Sequence, residues 1–411
     1  MVSATPLLVR SFKFFLGFGL MASLQACSTL NGLRSQLGFG EKEHQGRKEN
    51  QQFQSGPPLL SINWVSPTYD QLFLAHRKMN RMTPVITDDL VIQGNNLKDL
   101  VAVSRKWGRE VWRREFKGGV EASALAFKGR IYVPANDGTL SALDLQTGRT
   151  LWSFSSSSEN VSAPILDPQT GLLYFQNSQN LVFCLDAESG KQVWLYSRND
   201  GNLMTIRGAA TPALADGVVY VGFSDGTFAA LKSSGGQVLW EQTLNRNKKF
   251  RDIDGQAVVD GEFVIVSGYD DKVYGLDRER GTILWTFPAG SYASGALGEP
   301  GFFYVGTTNG QFLKLKASTG ELIWSYKEVK GVPTKPMFLN GVVYFGESQG
   351  RLKGLDRETG RLVSSFEPGR GIYSTPALDL NQNEIFFVSG EAYLYSLKLV
   401  RPSRKSFSFI E

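Results

Sequence analysis

Asp137-Gly138-Thr139-Leu140-Ser141-Ala142-Leu143-Asp144-Leu145-Gln146-Thr147-Gly148-Arg149-Thr150-Leu151-Trp152 decides the fold of this 411-residue chain. Asp-Gly is a tight-turn dipeptide, and Thr-Gly a second turn before a strand that carries tryptophan. The same landmarks recur. Trp64, Trp112, Trp152, Trp194, Trp240, Trp285 and Trp324 are spaced 39 to 48 residues apart. From Trp112 onward each has a glycine four residues earlier: Gly108, Gly148, Gly190, Gly236, Gly281 and Gly320. Gly360 repeats the pattern with Ser364 in the tryptophan slot, and a branched aliphatic such as Leu143 or Leu355 stands five residues before each glycine. Pro84, Ala124, Pro212, Ala257, Ala296 and Pro336 lie 28 residues before their slots, Pro164 lies 30 before Trp194, and Pro376 opens a last copy. Four landmarks at nearly fixed offsets make an internal repeat.

Each copy reads as four short strands. In the third, Ala163-Pro164-Ile165-Leu166, Leu172-Leu173-Tyr174-Phe175, Leu181-Val182-Phe183-Cys184-Leu185 and Gln192-Val193-Trp194 are β-forming runs bounded by Gly, Asn, Asp and Ser. Four strands in about 40 residues, repeated radially, form a β-propeller blade. The last copy, Pro376 to Leu399, has three strands, while Leu60-Ser61-Ile62-Asn63-Trp64-Val65 precedes the first copy with no blade of its own. Pairing the two completes an eighth blade and removes two exposed edges. The expected fold is all-β: an eight-bladed β-propeller of four-stranded antiparallel blades at 59–400, closed by its N- and C-terminal strands, with a tail at 401–411.

The hydrophobic fraction of 42% excludes disorder as the main state. With only His44 and His76, a His-rich metal centre or a Ser-His-Asp triad has almost no material. No catalytic set is recognisable, and no cofactor or metal site is expected. The tryptophans are read as inter-blade clamps, each indole held against a glycine-bearing turn, because a ligand rarely needs six equivalent tryptophans around a ring. Ser364 breaks the pattern, so the seventh blade should be the least firmly clamped unless Phe366 compensates. Asp144, Asp186, Asp277 and Asp356 are expected to form turns.

Residues 1–26 read as a secretory signal. Arg10 and Lys13 precede an apolar stretch, Phe14 to Leu24, shorter than the roughly 20 residues of a membrane span. Leu24-Gln25-Ala26-Cys27 resembles the bacterial lipobox, which implies lipidation of Cys27, and Ser28 resembles an outer-membrane sorting signal. Residues 27–58, rich in Gly, Ser, Gln and Lys, look like a flexible tether. Removing Arg10 and Lys13 takes the formal charge from +5 to +3, which makes no case for nucleic acid. If Cys27 carries lipid, Cys184 has no intrachain partner and is expected to be an inert buried thiol.

The repeat has the form Asp-Gly-x-Val-x-x-Leu-Asp-x-x-Thr-Gly-x-x-x-Trp, which resembles the pyrroloquinoline-quinone (PQQ) propeller repeat. Quinoprotein dehydrogenases of that superfamily are longer, commonly carry an adjacent cysteine pair and hold Ca²⁺ through Glu/Asn/Asp motifs not found here. Fold alone does not carry function. Lipobox, tether and propeller together resemble the propeller lipoprotein (BamB family) of the outer-membrane β-barrel assembly machinery. Leu203-Met204-Thr205-Ile206-Arg207-Gly208 resembles that family's apolar-x-apolar-Arg-Gly segment, which contacts the central barrel-forming subunit. Arg251-Asp252-Ile253-Asp254 resembles its Asp-x-Asp segment, implicated in the same contact.

The resemblance therefore implies a partner-binding patch of Met204, Ile206, Arg207, Asp252 and Asp254. Both segments join an outer strand to the next inner strand, so they should emerge on one face. An apolar pair beside Arg and two carboxylates suits a protein contact; alternatively, Arg207 and the aspartates pair with one another or form turns. Two carboxylates alone are weak ground for a metal. Met204 and Ile206 stand where leucines are usual, and Gln256-Ala257 replaces the family's Thr-Pro. The basic run Asn245 to Arg251 is either a solvated loop or a further contact to an acidic partner. The implied function is a non-enzymatic, outer-membrane scaffold with its propeller in the periplasm. It would bind the periplasmic domains of the central subunit and, by β-augmentation, unfolded outer-membrane protein clients. A quinoprotein-like oxidoreductase and a surface, saccharide-binding propeller lipoprotein are the alternatives.

Overall fold

The computed structural model describes residues 59–68, 80–198, 209–247, 251–270, 272–289 and 294–400. Cys27, Met204, Ile206 and Arg207 lie outside the described residues, as do the signal, the tether and the tail. Eight four-stranded antiparallel sheets are formed, each a meander in which consecutive strands pair. We number the blades 1 to 8, from the sheet at 85–115 to the closing sheet. Blade 3, for example, comprises Ile165–Leu166, Leu172–Gln176, Leu181–Asp186 and Gln192–Ser197. Blade 8 takes Ala377–Asp379, Glu384–Val388 and Tyr393–Val400 from one end of the chain and Leu59–Pro67 from the other, with Leu60 opposite Leu399. The expected eight-bladed fold and its mode of closure are both present.

The meander fixes what each face carries. The turns between second and third strands, and the connectors to the next blade, emerge on one face, called here the connector face. Gly138, Gly226 and Gly310 adopt φ of +85°, +88° and +79° there, the left-handed conformation that Asp-Gly and Asn-Gly turns need. The opposite face carries the turns between third and fourth strands. Asp144, Asp186 and Asp356 cap these turns, each accepting the N–H of the residue three positions on at 2.8–2.9 Å.

A tryptophan clamp joins neighbouring blades at seven of the eight seams. A Cβ added to Gly148 would lie 2.7 Å from the indole of Trp112, the tryptophan of the preceding blade. The same relation holds at Gly108, Gly190, Gly236, Gly281, Gly320 and Gly360. Every one of these indoles also donates Nε1–H to the carbonyl three residues before the glycine it covers, at 2.7–3.2 Å. Covering an indole removes roughly 150–250 Å² from water, and the hydrogen bond satisfies its polar edge. In each outer strand that follows a glycine turn, a β-bulge at the residue before the tryptophan slot twists the free edge and blunts strand addition there. Cys184 sits in the blade 3–4 core, where burial pushes its thiol up to about 12 and leaves it unreactive at neutral pH.

Candidate partner-binding site

The two segments singled out by sequence are flanked or formed by described residues at the connector face of blades 3, 4 and 5. Their roots converge on one turn, Ser224-Asp225-Gly226 of blade 4. Arg198, the last described residue before the segment of Met204, Ile206 and Arg207, donates Nε–H to Asp225 Oδ2 at 2.5 Å. Its other guanidinium nitrogens reach Thr227 Oγ1 at 3.0 Å and Glu241 Oε1 at 3.0 Å. Burial opposes ionisation of Asp225, but Arg198 and the Thr227 N–H outweigh it and hold the carboxyl below its ordinary range. From the other side, the N–H groups of Leu244 and Asn245 donate to the Gly226 carbonyl at 2.9 and 3.2 Å. Gly226 has to be glycine, since a Cβ would meet the Asn245 carbonyl at 2.2 Å.

Asp252 and Asp254 flank a buried anchor. Ile253 is fully buried and packs into the apolar core shared by blades 4 and 5. Its N–H donates to the Phe223 carbonyl at 3.2 Å, and the Asp252 carbonyl accepts from Tyr269 N–H at 3.0 Å. The segment is thus tied to blade 4 on one side and blade 5 on the other. Asp252 is 0% exposed, so its carboxylate belongs to the groove between the blades more than to the open surface. Burial first, and then the charge of Asp252, push the Asp254 carboxyl up to about 7. Of the basic run, Asn245 is buried and Arg251 is half-buried beside Gly226. Lys248, Lys249 and Phe250 lie outside the described residues.

Arg198 and the burial of Ile253 were not foreseen. An apolar residue between two aspartates was a readable hint of an anchor, whereas nothing local marks Arg198, whose Asp225 partner is 27 positions away. Elsewhere on the connector face, a cleft of about 660 Å³ opens beside blade 7, lined in part by Tyr326, Arg351, Lys353, Arg370 and Tyr373. Its charges compensate one another: Glu347, fully buried, pairs with Lys353 at 2.8 Å, and Arg351 pairs with Glu367 at 2.9 Å. Among the described residues, no group of three or more His, Cys, Asp or Glu side chains is placed to hold a metal ion.

Eight clamped blades of this repeat define a PQQ-like propeller. The family is narrower: residues 96–298 and 269–370 match the sequence family described as outer membrane protein assembly factor BamB, and the chain belongs to it. Proteins of that name are similar in Moranella endobia, 22% identical over 60% of this chain and 66% of that protein, and in Yersinia pestis, 24% identical over 58% and 65%. The chain thus spans slightly under two thirds of the length of these relatives. Among solved structures, BamB from Moraxella catarrhalis has a TM-score of 0.69 at 19% identity, covering 83% of this chain and all of that one. A quinohemoprotein alcohol dehydrogenase from Pseudomonas putida also has a TM-score of 0.69, at 13% identity over 86% and 78%. At such identities the structural likenesses establish the fold alone.

Proposed function

We propose that the chain is a scaffold of outer-membrane protein assembly, acting by binding, with no bond made or broken. It would be anchored to the outer membrane through lipid on Cys27, with the propeller in the periplasm. Its partner is the central barrel-forming subunit of the assembly machinery, gripped through Met204, Ile206, Arg207 and Asp254, with the buried Asp252 of the same patch acting from the groove through its charge on Asp254. Family membership supports the process. The observation that supports the site is that Arg198, which leads towards the first segment, and Asn245, which leads towards the second, both bond the Asp225-Gly226 turn. A rigid base of this kind lowers the ordering cost of a protein contact.

The test is a pull-down from detergent-solubilised outer membranes with the native chain, Arg207→Ala and Asp254→Asn. The expected outcome is recovery of the barrel-forming subunit by the native chain and at least ten-fold less by each variant. Folding is the control. A carboxyl raised to about 7 destabilises the fold increasingly as pH climbs from the unfolded value towards 7, so Asp254→Asn should melt no lower than the native chain at pH 8. Equal recovery by all three moves the interface elsewhere. No recovery by the native chain ends the assembly reading. Cys27→Ser should shift the chain from the membrane to the soluble fraction.

A further inference from the structure

Around the axis, adjacent inner strands touch. The residue just before the Pro or Ala landmark opens each inner strand at the connector face. In most blades it is Ser, Thr, Ala or Gly; blades 5 and 7 instead carry Gln256 and Lys335. These two side chains meet. Lys335 Nζ donates to Gln256 Oε1 at 2.8 Å, reaching past blade 6, where the matching residue is Gly295. Gln256 Nε2 donates to the Pro212 carbonyl of blade 4 at 3.2 Å, which orients the amide with its oxygen towards the lysine.

The bonding is lopsided. An ammonium has three protons to donate, and one amide oxygen takes one of them. Lys335 is half-buried, and the two buried lysines among the described residues are neutralised: Lys314 pairs with Glu299 at 2.9 Å and Lys353 with Glu347 at 2.8 Å. Burial alone acts on Lys335, lowering its pKa, with no carboxylate among the described residues to offset it. Hydroxyls at or beside the same position of other blades add donors to the ring. Ser123, Thr211 and Ser294 accept the N–H groups of Thr83, Ala163 and Gln256 from the preceding blades, at 3.0, 3.2 and 2.8 Å. An oxygen occupied in this way keeps its own proton to give, and no acceptor among the described residues takes it.

From this donor-rich ring, in which Lys335 is the cation among the described residues, we infer that the propeller axis holds a binding site for a small carboxylate- or phosphate-type anion, with Lys335 as its charged contact. Gln256 is the positioning residue that holds the amine. The bound oxygens take the protons that Gln256 leaves and restore the charge balance that burial upsets. The anion site does not rest on the partner patch, although Gln256 follows Asp254 by two residues, and it stands whether or not that patch binds the assembly machinery.

The full chain in detergent is titrated with inorganic phosphate and, separately, acetate against chloride at constant ionic strength. Melting temperature is followed, together with reductive methylation of Lys335 located by mass spectrometry. The expected result is a saturable rise in melting temperature with at least one anion and a matching protection of Lys335. Phosphate alone identifies an oxyanion of the phosphate type; acetate alone identifies a carboxylate. Lys335→Arg keeps the response. Lys335→Met, which fills the same space without charge, weakens the apparent affinity at least ten-fold. No saturable response in the native chain overturns the proposal, as does an equal response in Lys335→Met, which marks an adventitious ion elsewhere. If Lys335→Met does not fold, the methylation protection of the native chain decides alone.

Discussion

At the seam between blades 8 and 1, the Trp64 indole lies on Gly108 and donates to the Arg105 carbonyl at 2.7 Å. The Arg105 side chain then turns back into blade 8, meeting Asp379 at 2.5 Å and Glu384 at 2.8 Å. One residue thus holds both halves of the closing blade, the N-terminal strand through its carbonyl and the C-terminal hairpin through its guanidinium. The seam between blades 7 and 8 has neither device. Ser364 occupies the tryptophan slot there, and blade 8 has no turn between its third and fourth strands, because those strands come from opposite ends of the chain. A tryptophan at Ser364 would have no glycine to cover and no turn carbonyl to reach. The replacement is apolar: Phe366 lies 6.0 Å from Phe387 and 5.6 Å from Tyr395, in a cluster with Leu60 and Leu399. The clamp is therefore a two-blade device, and its loss at one seam is a consequence of how the ring closes.

The comparison can be broken most directly at Trp64. Trp64→Ala should cost about 4 kcal/mol, read as a fall in melting temperature and as earlier proteolytic release of the N-terminal strand; a loss below about 1 kcal/mol would mean that strand pairing alone closes the ring. Arg105→Ala should cost about 3 kcal/mol, since Asp379 and Glu384 are left facing each other. Burial works against ionisation of Asp379, yet Arg105 holds its carboxyl below the ordinary range. A depressed carboxyl contributes stability above its unfolded pKa, near 3.9, and loses it as pH falls through the folded value. Acid titration of the native chain should therefore show a stability loss below about pH 4 that flattens in Arg105→Ala.

The weaker seam sharpens the contrast. Phe366→Ala should cost about 2 kcal/mol, below the full value for a buried phenylalanine because this one is half-buried. Ser364→Trp should bring no gain and a strain of about 1 kcal/mol; a rise in melting temperature would show that the indole finds another partner. The smallest effect separates two tyrosines. Tyr174 donates its hydroxyl to the turn carbonyl of Ser233 at 3.2 Å, whereas Tyr344, its counterpart in blade 7, has no turn carbonyl ahead of it. Tyr174→Phe should cost about 1 kcal/mol and Tyr344→Phe less than about 0.5.

Most of the fold was legible because its signals are local and repeated. Asp-Gly and Asn-Gly dipeptides mark turns, short β-forming runs mark strands, and the orphan N-terminal strand with the three-stranded last copy announces closure. The site was legible only in part. Asp252 and Asp254 could be picked out by their resemblance to a family segment, but not the burial of Asp252, which follows from Ile253 being drawn into the core between blades. Arg198 and Arg105 carry no local signature, because the carboxylates they meet arrive from other blades.

The amino-acid sequence by itself determined the number of blades, the order of strands and the place where the ring closes, since each depends on turn chemistry and periodicity within about 40 residues. Tertiary structure decided the partners. From Trp112 to Trp324, each clamping tryptophan and the glycine four residues before it share a repeat, yet the indole covers the glycine of the next blade. Lys335 meets Gln256 across 79 positions for the same reason. Such pairs are brought together by the geometry of the closed ring, and no spacing along the chain records it.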